Sequence, residues 1–428
     1  MNSPALIVVA ALLASASVPA LATDKAAGPA PRAQGWLVKS YGEVEMPAAA
    51  ATAPQVAELK KIAVTRSPDD MAKLQWWSVG GPAYRWNEIL LDQMQEAFVT
   101  LPTSARHLAL FQAALDDATA VARGQRKGTT GPSEYAAAAA AAAELMSYFF
   151  PAKAAQFAAR ADEAIKVRLA AGADQAQDAA TGRAIGQRIG ALAVAYDKAD
   201  GSDAKWTGSV PEGADKWKGT NPIAPMAGTW KAWVLTANNE FRPAPPPALE
   251  SEKLKKDLAE LKEFKRSPRS NHRATFWEVN GGARAHTMWN DIAREKLLEY
   301  GYSPAVAARV LTAVNVALLD AGIACWDAKF TFWYPRPTMV DAELKSVFPA
   351  PNHPSYPAAH GCFSTAAAVV LAGVFPQDRE RLLAIGKEAA EARTWAGIHY
   401  RFDIDAGQEI GRKVTGKTLE RSFGSKGL

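Results

Sequence analysis

The chain has 428 residues, of which 49 are basic and 44 acidic, and its formal charge is +5. A hydrophobic fraction of 48% allows a sizeable core, and the length allows two domains or one large one. Because the charge is mild and no long basic run occurs, these totals argue against nucleic acid as a partner.

The first 22 residues have the pattern of a secretory signal peptide. An apolar run covers residues 6–13, and Ala-Leu-Ala at 20–22 is a small-x-small cleavage site. The alternative is a membrane anchor, but a spanning helix needs about 20 apolar residues and this run is shorter. No later stretch is judged long and apolar enough to span. We therefore expect no stable membrane span and a periplasmic or secreted protein.

Residues 23–65 are rich in alanine and proline, which predicts an extended N-terminal arm. Ser67-Pro68 then has the composition of a helix start. Eight consecutive alanines at 136–143 still predict a helix, because alanine is the strongest helix former. A first helical bundle is expected over 66–200, with helices at 104–123, 135–149, 153–171 and 178–197.

The composition changes at residues 201–265. From Gly201 to Pro247 the chain is rich in Trp, Gly, Lys and Pro and lacks helical periodicity. A charged amphipathic helix is predicted at 250–264. We interpret this segment as an irregular crossover between two halves.

The second half repeats the first. Trp86-Asn87 recurs as Trp289-Asn290, and residues 163–190 align without a gap with 388–415, at an offset of 225. This repeat predicts an internal duplication and an all-α fold of two related helical bundles, the second over 266–428. The register places Asp174 opposite His399, so the first copy is expected to lack an active site.

Three clusters of charged residues and histidines distinguish the second half. They are Lys329-x6-Arg336-Pro337, then Pro357-Ala358-Ala359-His360, then Arg393-x5-His399-x3-Asp403. Arginine offers a planar fork to paired oxygens, and lysine adds a compact charge, so these residues suit a tetrahedral oxyanion. A carboxylate four residues after a histidine can hold one ring nitrogen and leave the other free to react.

Helix signals place these clusters at helix ends. Ser303-Pro304 is a good helix start, and the apolar spacing that follows runs to Lys329. Pro357 is expected to end a loop, so that Ala359 and His360 begin the next helix. Free N–H groups at such a start favour an anion.

The order and spacing of the clusters resemble the superfamily of type 2 phosphatidic acid phosphatases and vanadium-dependent haloperoxidases. The signature of that family reads K-x6-R-P, then P-S-G-H, then S-R-x5-H-x3-D. Here Ala358 and Ala359 replace the family Ser and Gly, and Ala392 replaces the Ser before Arg393. The serine hydroxyl normally donates to the oxyanion, so one donor is missing, whereas Ala359 can still offer its backbone N–H.

The resemblance implies a role for each site residue. Lys329, Arg336, Arg393 and the N–H of Ala359 would bind the oxygens of phosphate or vanadate. His399 would attack phosphorus or bind vanadium axially, Asp403 would orient it, and His360 would transfer protons. His353 occupies a loop position that is aromatic or His in related haloperoxidases, so it is a possible pocket residue.

Three functions remain open at this stage. The first is a vanadate-binding haloperoxidase that uses hydrogen peroxide to oxidise halide. The duplication and the run His399-Tyr400-Arg401-Phe402-Asp403, similar to H-W-R-F-D of chloroperoxidase-like members, favour it. The second is an exported acid phosphatase without a cofactor that acts on phosphomonoesters through a phosphohistidine. The third is a non-catalytic oxyanion-binding protein, which Ala358 keeps open.

The remaining cysteines and histidines carry weaker signals. Cys325 and Cys362 could form a disulfide, but two buried thiols are the favoured interpretation. His107, His272 and His286 are interpreted as surface or capping residues.

Overall fold

The computed structural model describes residues 34–42, 44, 65, 67–126 and 131–424. Regular structure within these ranges is helical, which confirms the all-α prediction. The predicted signal peptide at 1–22 lies outside the described residues, as does most of the predicted arm at 23–65.

The first half of the described chain forms helices around a core that is rich in alanine. Ser67 caps the first helix at its N-terminus, and Ser133 caps the alanine-rich helix in the same way. Gly186 approaches that helix so closely that a Cβ atom there would lie 2.1 Å from the Ala137 carbonyl oxygen. The helices are α1 (Pro68–Ser78), α2 (Tyr84–Glu96), α3 (Thr103–Gly124), α4 (Glu134–Phe149), α5 (Ala154–Ala170) and α6 (Ala176–Lys198).

The segment 201–251 is largely irregular and is fixed to the second half by polar contacts. Arg242 forms two hydrogen bonds of 2.7 Å with the carboxylate of Asp327. The helix α7 (Glu252–Glu263) follows. Its Asp257 accepts the backbone N–H of Phe402 at 2.9 Å.

The second half contains a long central helix, which begins at a Ser303 cap followed by Pro304, as predicted. By length and composition the stretch Pro304–Val340 could cross a membrane, so the expectation that no later stretch is apolar enough was wrong. However, 89% of its apolar window is buried inside the protein, as in a core helix. The elements are α8 (Pro268–Glu278), a π-helical turn (Val279–Ala283), α9 (Ala285–Glu299), α10 (Pro304–Phe332), α11 (Pro337–Val340), α12 (Ala359–Val374), α13 (Arg379–Trp395) and α14 (Arg401–Phe423).

The two halves repeat the same packing. Helix α4 packs on α5 and α6 as α12 packs on α13 and α14, and α3 packs on α4 as α10 packs on α12. The backbone N–H of Ser133 donates to the carbonyl of Asp178 at 2.9 Å, and the N–H of Ala358 donates to the carbonyl of Asp403 at 2.9 Å. These equivalent bonds follow the 225-residue offset of the repeat. The structure therefore contains two related helical bundles, as the repeat predicts.

The bundles meet through α3 and α10, and equivalent residues of the repeat touch at this interface. Asn87 Nδ2 donates to Asn290 Oδ1 at 2.9 Å. His286 is also buried here, with its Nδ1 2.9 Å from the Ser104 hydroxyl of the other bundle. Its interpretation as a surface or capping residue was wrong, because α9 faces a bundle that is distant in sequence.

Two buried aspartates fix irregular segments to the core helices. Asp117 of α3 accepts the backbone N–H groups of residues 36–38 at 2.7–3.3 Å. Asp320 of α10 accepts those of residues 233–234 at 2.6–3.0 Å. A buried aspartate of the first bundle thus holds the described part of the predicted arm. A buried aspartate of the second bundle holds the crossover in the same way.

Candidate active site

The site residues predicted from the sequence lie at helix ends of the second bundle. Each of their side chains is buried. They comprise Lys329 in the last turn of α10, Arg336 at the N-cap of α11, Ala359 and His360 in the first turn of α12, Arg393 in the last turn of α13, and His399 and Asp403 beside the start of α14.

His399 is held by a chain of two hydrogen bonds. Its Nδ1 lies 2.7 Å from Asp403 Oδ2, and the Ser355 hydroxyl donates to the same oxygen at 2.5 Å. A carboxylate oxygen only accepts, so His399 carries its proton on Nδ1 and has a lone pair on Nε2. Burial raises the pKa of Asp403 to about 7, and the Ser355 hydrogen bond opposes that rise.

Arg336 contacts the reactive nitrogen of His399 directly. Its Nη1 lies 2.8 Å from His399 Nε2 and donates to the Ile398 carbonyl at 2.9 Å. Its Nη2 donates to the His353 carbonyl at 3.1 Å. Burial lowers the pKa of this guanidinium to about 10, and it remains charged near neutral pH. The predicted cation and the predicted histidine are therefore adjacent.

Lys329 lies beneath the loop that precedes α12. Its Nζ donates to the carbonyls of Pro354 at 2.7 Å and Ser355 at 2.9 Å. Burial lowers its pKa to about 8. The ammonium thus supports the loop that carries His353 and Ser355, rather than contacting the two predicted arginines.

Arg393 is fully buried and incompletely paired. Its Nη2 donates to the carboxylate of Glu278, the last residue of α8. Its Nε and Nη1 have no hydrogen-bond partner among the residues that the structure describes. A buried donor without a partner costs about 1–3 kcal/mol, and more when it is charged. These two N–H groups are the clearest sign of a missing acceptor.

His360 packs against the π-helical turn. Its Nε2 lies 2.8 Å from the Trp277 carbonyl, so this nitrogen carries the proton. A Cβ atom on Gly281 would lie 2.7 Å from the ring, so the turn approaches His360 only because glycine stands there. Burial, followed by the charge of Arg393, lowers the pKa of His360 well below its usual value. The ring is neutral at neutral pH.

The start of α12 offers backbone donors without a side-chain cap. Ala358 is the N-cap residue and makes no side-chain hydrogen bond, and Ala359 is the first helical residue. Alanine adopts this backbone freely, so replacing the family glycine leaves the N–H of Ala359 in place. The first N–H groups of a helix favour an anion.

Several of these residues line one cavity of about 190 Å³. At roughly 30 Å³ per water molecule, it has room for about six waters. Its wall includes the predicted residues His353, Ala359, His360, Arg393 and His399. Lys329, Arg336 and Asp403 lie outside this wall, behind His353 and His399.

The charges next to the cavity do not balance. Lys329, Arg336 and Arg393 are cationic and fully buried. Two carboxylates influence them, Glu278 and Asp403, and the second is half protonated at about pH 7. Buried charge without a counter-charge is destabilising, so the site favours an added anion.

The first bundle shows what closes the equivalent site. Asp174 stands opposite His399 in the repeat, and its carboxylate accepts two hydrogen bonds from Arg168, at 2.7 and 2.9 Å. The Ser133 hydroxyl also donates to it, and accepts the N–H of Ala136 at 3.1 Å. Arg168 is thus neutralised by a carboxylate of the same bundle. That the first copy lacks an active site stays a prediction.

Ser355 and Glu278 were not predicted from the sequence. Ser355 contacts Asp403 across 48 positions and Glu278 contacts Arg393 across 115, so no local spacing connects the partners. The two cysteines are free and buried, in agreement with the favoured interpretation.

Comparisons with known proteins agree with this geometry. The family described as the PAP2 superfamily matches residues 309–416, which contain all three charged clusters. A non-specific acid phosphatase of Salmonella typhi is 37% identical over 57 residues, which are 13% of this chain and 23% of that protein. The match therefore spans less than a quarter of that relative.

Solved structures resemble a larger part of the chain. A bacterial vanadium-dependent iodoperoxidase aligns with a TM-score of 0.64 at 23% identity, over 79% of this chain and 96% of its own. The apo and holo forms of a bacterial vanadium-dependent chloroperoxidase align with TM-scores of 0.58 and 0.55 at 15% identity, over 74% of this chain and 91% of theirs. The chain thus has the fold of these haloperoxidases, and residues 309–416 of its second bundle match the PAP2 superfamily.

Proposed function

We propose that the protein is a vanadium-dependent haloperoxidase-like enzyme that binds a tetrahedral oxyanion in the cavity of its second bundle. The main observation in support of this proposal is that three cations are buried beside one cavity. One of them, Arg393, has two N–H groups without a hydrogen-bond partner among the described residues. An anion that accepts hydrogen bonds from these N–H groups removes the free-energy cost of burying them without an acceptor. A tetrahedral oxyanion suits them because a guanidinium donates to paired oxygens.

Vanadate fits this set of donors. Arg393 and the N–H of Ala359, which line the cavity, would hold its oxygens together with Lys329 and Arg336 from outside the wall, and Nε2 of His399 would bind vanadium. When bound, vanadate supplies the Lewis-acidic centre that activates hydrogen peroxide for halide oxidation.

The residues around His399 prepare its Nε2 for such a bond. Asp403 fixes the proton on Nδ1, so the lone pair of Nε2 points away from the carboxylate. Nη1 of Arg336 donates to that lone pair at 2.8 Å and has to release it when a ligand binds. The carbonyls of Ile398 and His353 keep the guanidinium in place, so a small shift would turn its N–H from the imidazole to the anion.

His360 is suited to proton transfer once an anion is present. Without an anion, burial and Arg393 keep its pKa low. A negative charge in the cavity favours the charged imidazolium and raises that pKa. The ring can then take up a proton from water and deliver it within the cavity.

An exported acid phosphatase is the second candidate, and the matched segment of the Salmonella typhi enzyme favours it. His399 Nε2 would attack phosphorus, and the bond from phosphorus to the alcohol oxygen would break as the N–P bond forms. His360 would give its proton to the leaving oxygen. Water would then attack the phosphohistidine and release phosphate. A non-catalytic oxyanion-binding protein is the third candidate, because Ala358 lacks the hydroxyl donor.

One set of assays separates these candidates. The full chain is loaded with orthovanadate and assayed for peroxide-dependent oxidation of iodide and bromide, and without vanadate for hydrolysis of 4-nitrophenyl phosphate. Oxidation that needs vanadate and is lost in His399→Ala supports the haloperoxidase. Hydrolysis that is inhibited by vanadate supports the phosphatase. The absence of both activities supports the non-catalytic binding protein. The control is His272→Ala, which changes an exposed histidine of α8.

We also propose that the mature protein is exported after residues 1–22 are removed, and that it acts on small molecules. The small-x-small pattern at 20–22 supports this. N-terminal sequencing of the protein from a periplasmic or secreted fraction should give Thr23 as the first residue. An intact Met1 in the cell interior would contradict it.

A further inference from the structure

Part of the cavity wall is apolar and is built from three separate parts of the chain. We call it the outer wall because it includes the partly exposed Leu101 and Ile223. Leu101 comes from the first bundle, Ile223 from the crossover, and Trp326 and Phe363 from the second bundle. The charged and titratable lining residues, by contrast, are Glu278, His353, His360, Arg393 and His399. The predicted oxyanion donors thus account for the polar side, and the apolar side has no role in holding an anion.

One residue of this wall, and two residues close in sequence to lining residues, expose large apolar side chains to solvent. Ile223 is 40% exposed and lines the cavity itself, and Val279 is 44% exposed and follows the lining residue Glu278. Phe98 is 78% exposed and lies two positions before the lining residue Thr100. Burying such groups in a ligand complex is favourable, and exposed apolar patches mark ligand grooves.

We propose that this outer part binds the apolar group of an organic substrate, with the size of a single aromatic ring, while the oxyanion occupies the cationic end. The inference rests on the proposed oxyanion function. A cavity of about 150 Å³ lined by Leu, Ile and Phe can hold a benzene ring. The cavity here has about 190 Å³, so an oxyanion and one ring together would fill it. Ile223, which lines the cavity and is 40% exposed, extends the apolar surface to solvent.

The same subsite serves either proposed reaction. For a haloperoxidase it would hold the organic acceptor next to the place where halide is oxidised. For a phosphatase it would hold the alcohol part of a phosphomonoester. In both cases the ligand is an uncharged apolar ring next to a tetrahedral anion, and the first bundle contributes to selectivity through Leu101.

Phenylphosphonate and methylphosphonate test this directly, because both resist hydrolysis and share one anionic head group. Isothermal titration of the full chain should show phenylphosphonate binding about 10- to 100-fold more tightly. Ile223→Asn should reduce this ratio to about threefold or less and leave the affinity for methylphosphonate unchanged. Ile223 is partly exposed, so this variant should fold; Leu101→Ala is a second variant with the same expectation.

The control is Leu298→Asn, which changes a leucine of α9 that is 46% exposed and outside the cavity wall. It should keep the full ratio. Equal affinity for the two phosphonates, or an unchanged ratio in both cavity variants, overturns the apolar subsite while the oxyanion site stands. Failure of both phosphonates to bind overturns the proposed oxyanion function, and with it this inference.

Discussion

At the scale of single residues, the Ser355 hydroxyl tunes the carboxylate that orients His399. Its hydrogen bond to Asp403 favours the ionised carboxylate against the effect of burial. The folded-state pKa of about 7 lies above the usual 3.8, so Asp403 takes up a proton as the pH falls through 7. Activity should therefore decline on the acid side of that value, because a protonated Asp403 no longer fixes the proton of His399 on Nδ1.

Ser355→Ala should move this decline to higher pH. Removing the hydroxyl withdraws a hydrogen bond that lowers the pKa of Asp403, so the carboxyl is protonated sooner as the pH falls. Stability should also drop by about 1–3 kcal/mol, because a buried acceptor loses its donor. The pH profile of activity measures the shift. Ser364→Ala, at another buried serine, should leave the profile in place, and an unshifted Ser355→Ala profile would refute this role.

Ala358 is the position where the chain departs most from the family signature. Ser133, its equivalent in the first bundle, both caps a helix and donates to the carboxylate of Asp174. A serine at this position of the fold can therefore cap the helix and donate a hydrogen bond to an anion at the same time.

Ala358→Ser should accordingly strengthen both functions. The new hydroxyl can accept an N–H of α12, which stabilises the protein by about 1 kcal/mol. It can also donate to the oxyanion, which tightens binding about fivefold or more. Urea denaturation and orthovanadate titration measure the two effects. If neither the stability nor the orthovanadate affinity changes, the new hydroxyl does not make the two hydrogen bonds that Ser133 makes in the first bundle.

At the scale of helices, glycines set how closely the repeated pairs approach. A Cβ atom at Gly186 would lie 2.1 Å from the Ala137 carbonyl oxygen, and one at Gly411 would lie 2.8 Å from the Cys362 carbonyl oxygen. Both glycines belong to the last helix of their bundle, and they pack on α4 and α12, the helices that follow Pro132 and Pro357. The repeat preserves this close contact.

Gly186→Ala should destabilise the protein by about 1–3 kcal/mol, because the added methyl group meets backbone that cannot move independently. Gly416→Ala is the matched control in α14, where an added Cβ meets nothing within 4 Å. It should instead stabilise by about 0.5–1 kcal/mol through helix propensity. Denaturation midpoints compare the two, and a neutral Gly186→Ala would rule out tight α4–α6 packing.

At the scale of the whole molecule, duplication produced two copies with different electrostatics. In the first copy Asp174 neutralises Arg168 within the chain. In the second copy Arg393 keeps two N–H groups without a described partner. The proposed oxyanion site therefore belongs to the second copy alone.

Orthovanadate should therefore bind with a stoichiometry of one per chain despite the repeat. Equilibrium dialysis of the full chain gives this number directly. Two equivalent sites would contradict the closing role of Asp174, and binding that survives His399→Ala at full affinity would place the anion elsewhere.

Most of the site could be predicted because its cations and histidines follow fixed local spacings that end at helix boundaries. Lys329 and Arg336 are seven positions apart, and His399 and Asp403 are one helical turn apart. Ser355, Glu278 and the outer wall of the cavity could not be predicted, because each depends on segments joined only by folding. Likewise the repeat predicts two bundles, but the contact between Asn87 and Asn290 depends on how they dock.

The central claim is that buried cations gather a tetrahedral oxyanion beneath His399, and isothermal titration with orthovanadate tests it most directly. Wild-type protein and Arg381→Met, which changes an exposed arginine of α13, should bind alike, whereas Arg393→Met should bind at least about 30-fold more weakly. Absence of binding to the wild type, or equal binding by Arg393→Met, would contradict the account.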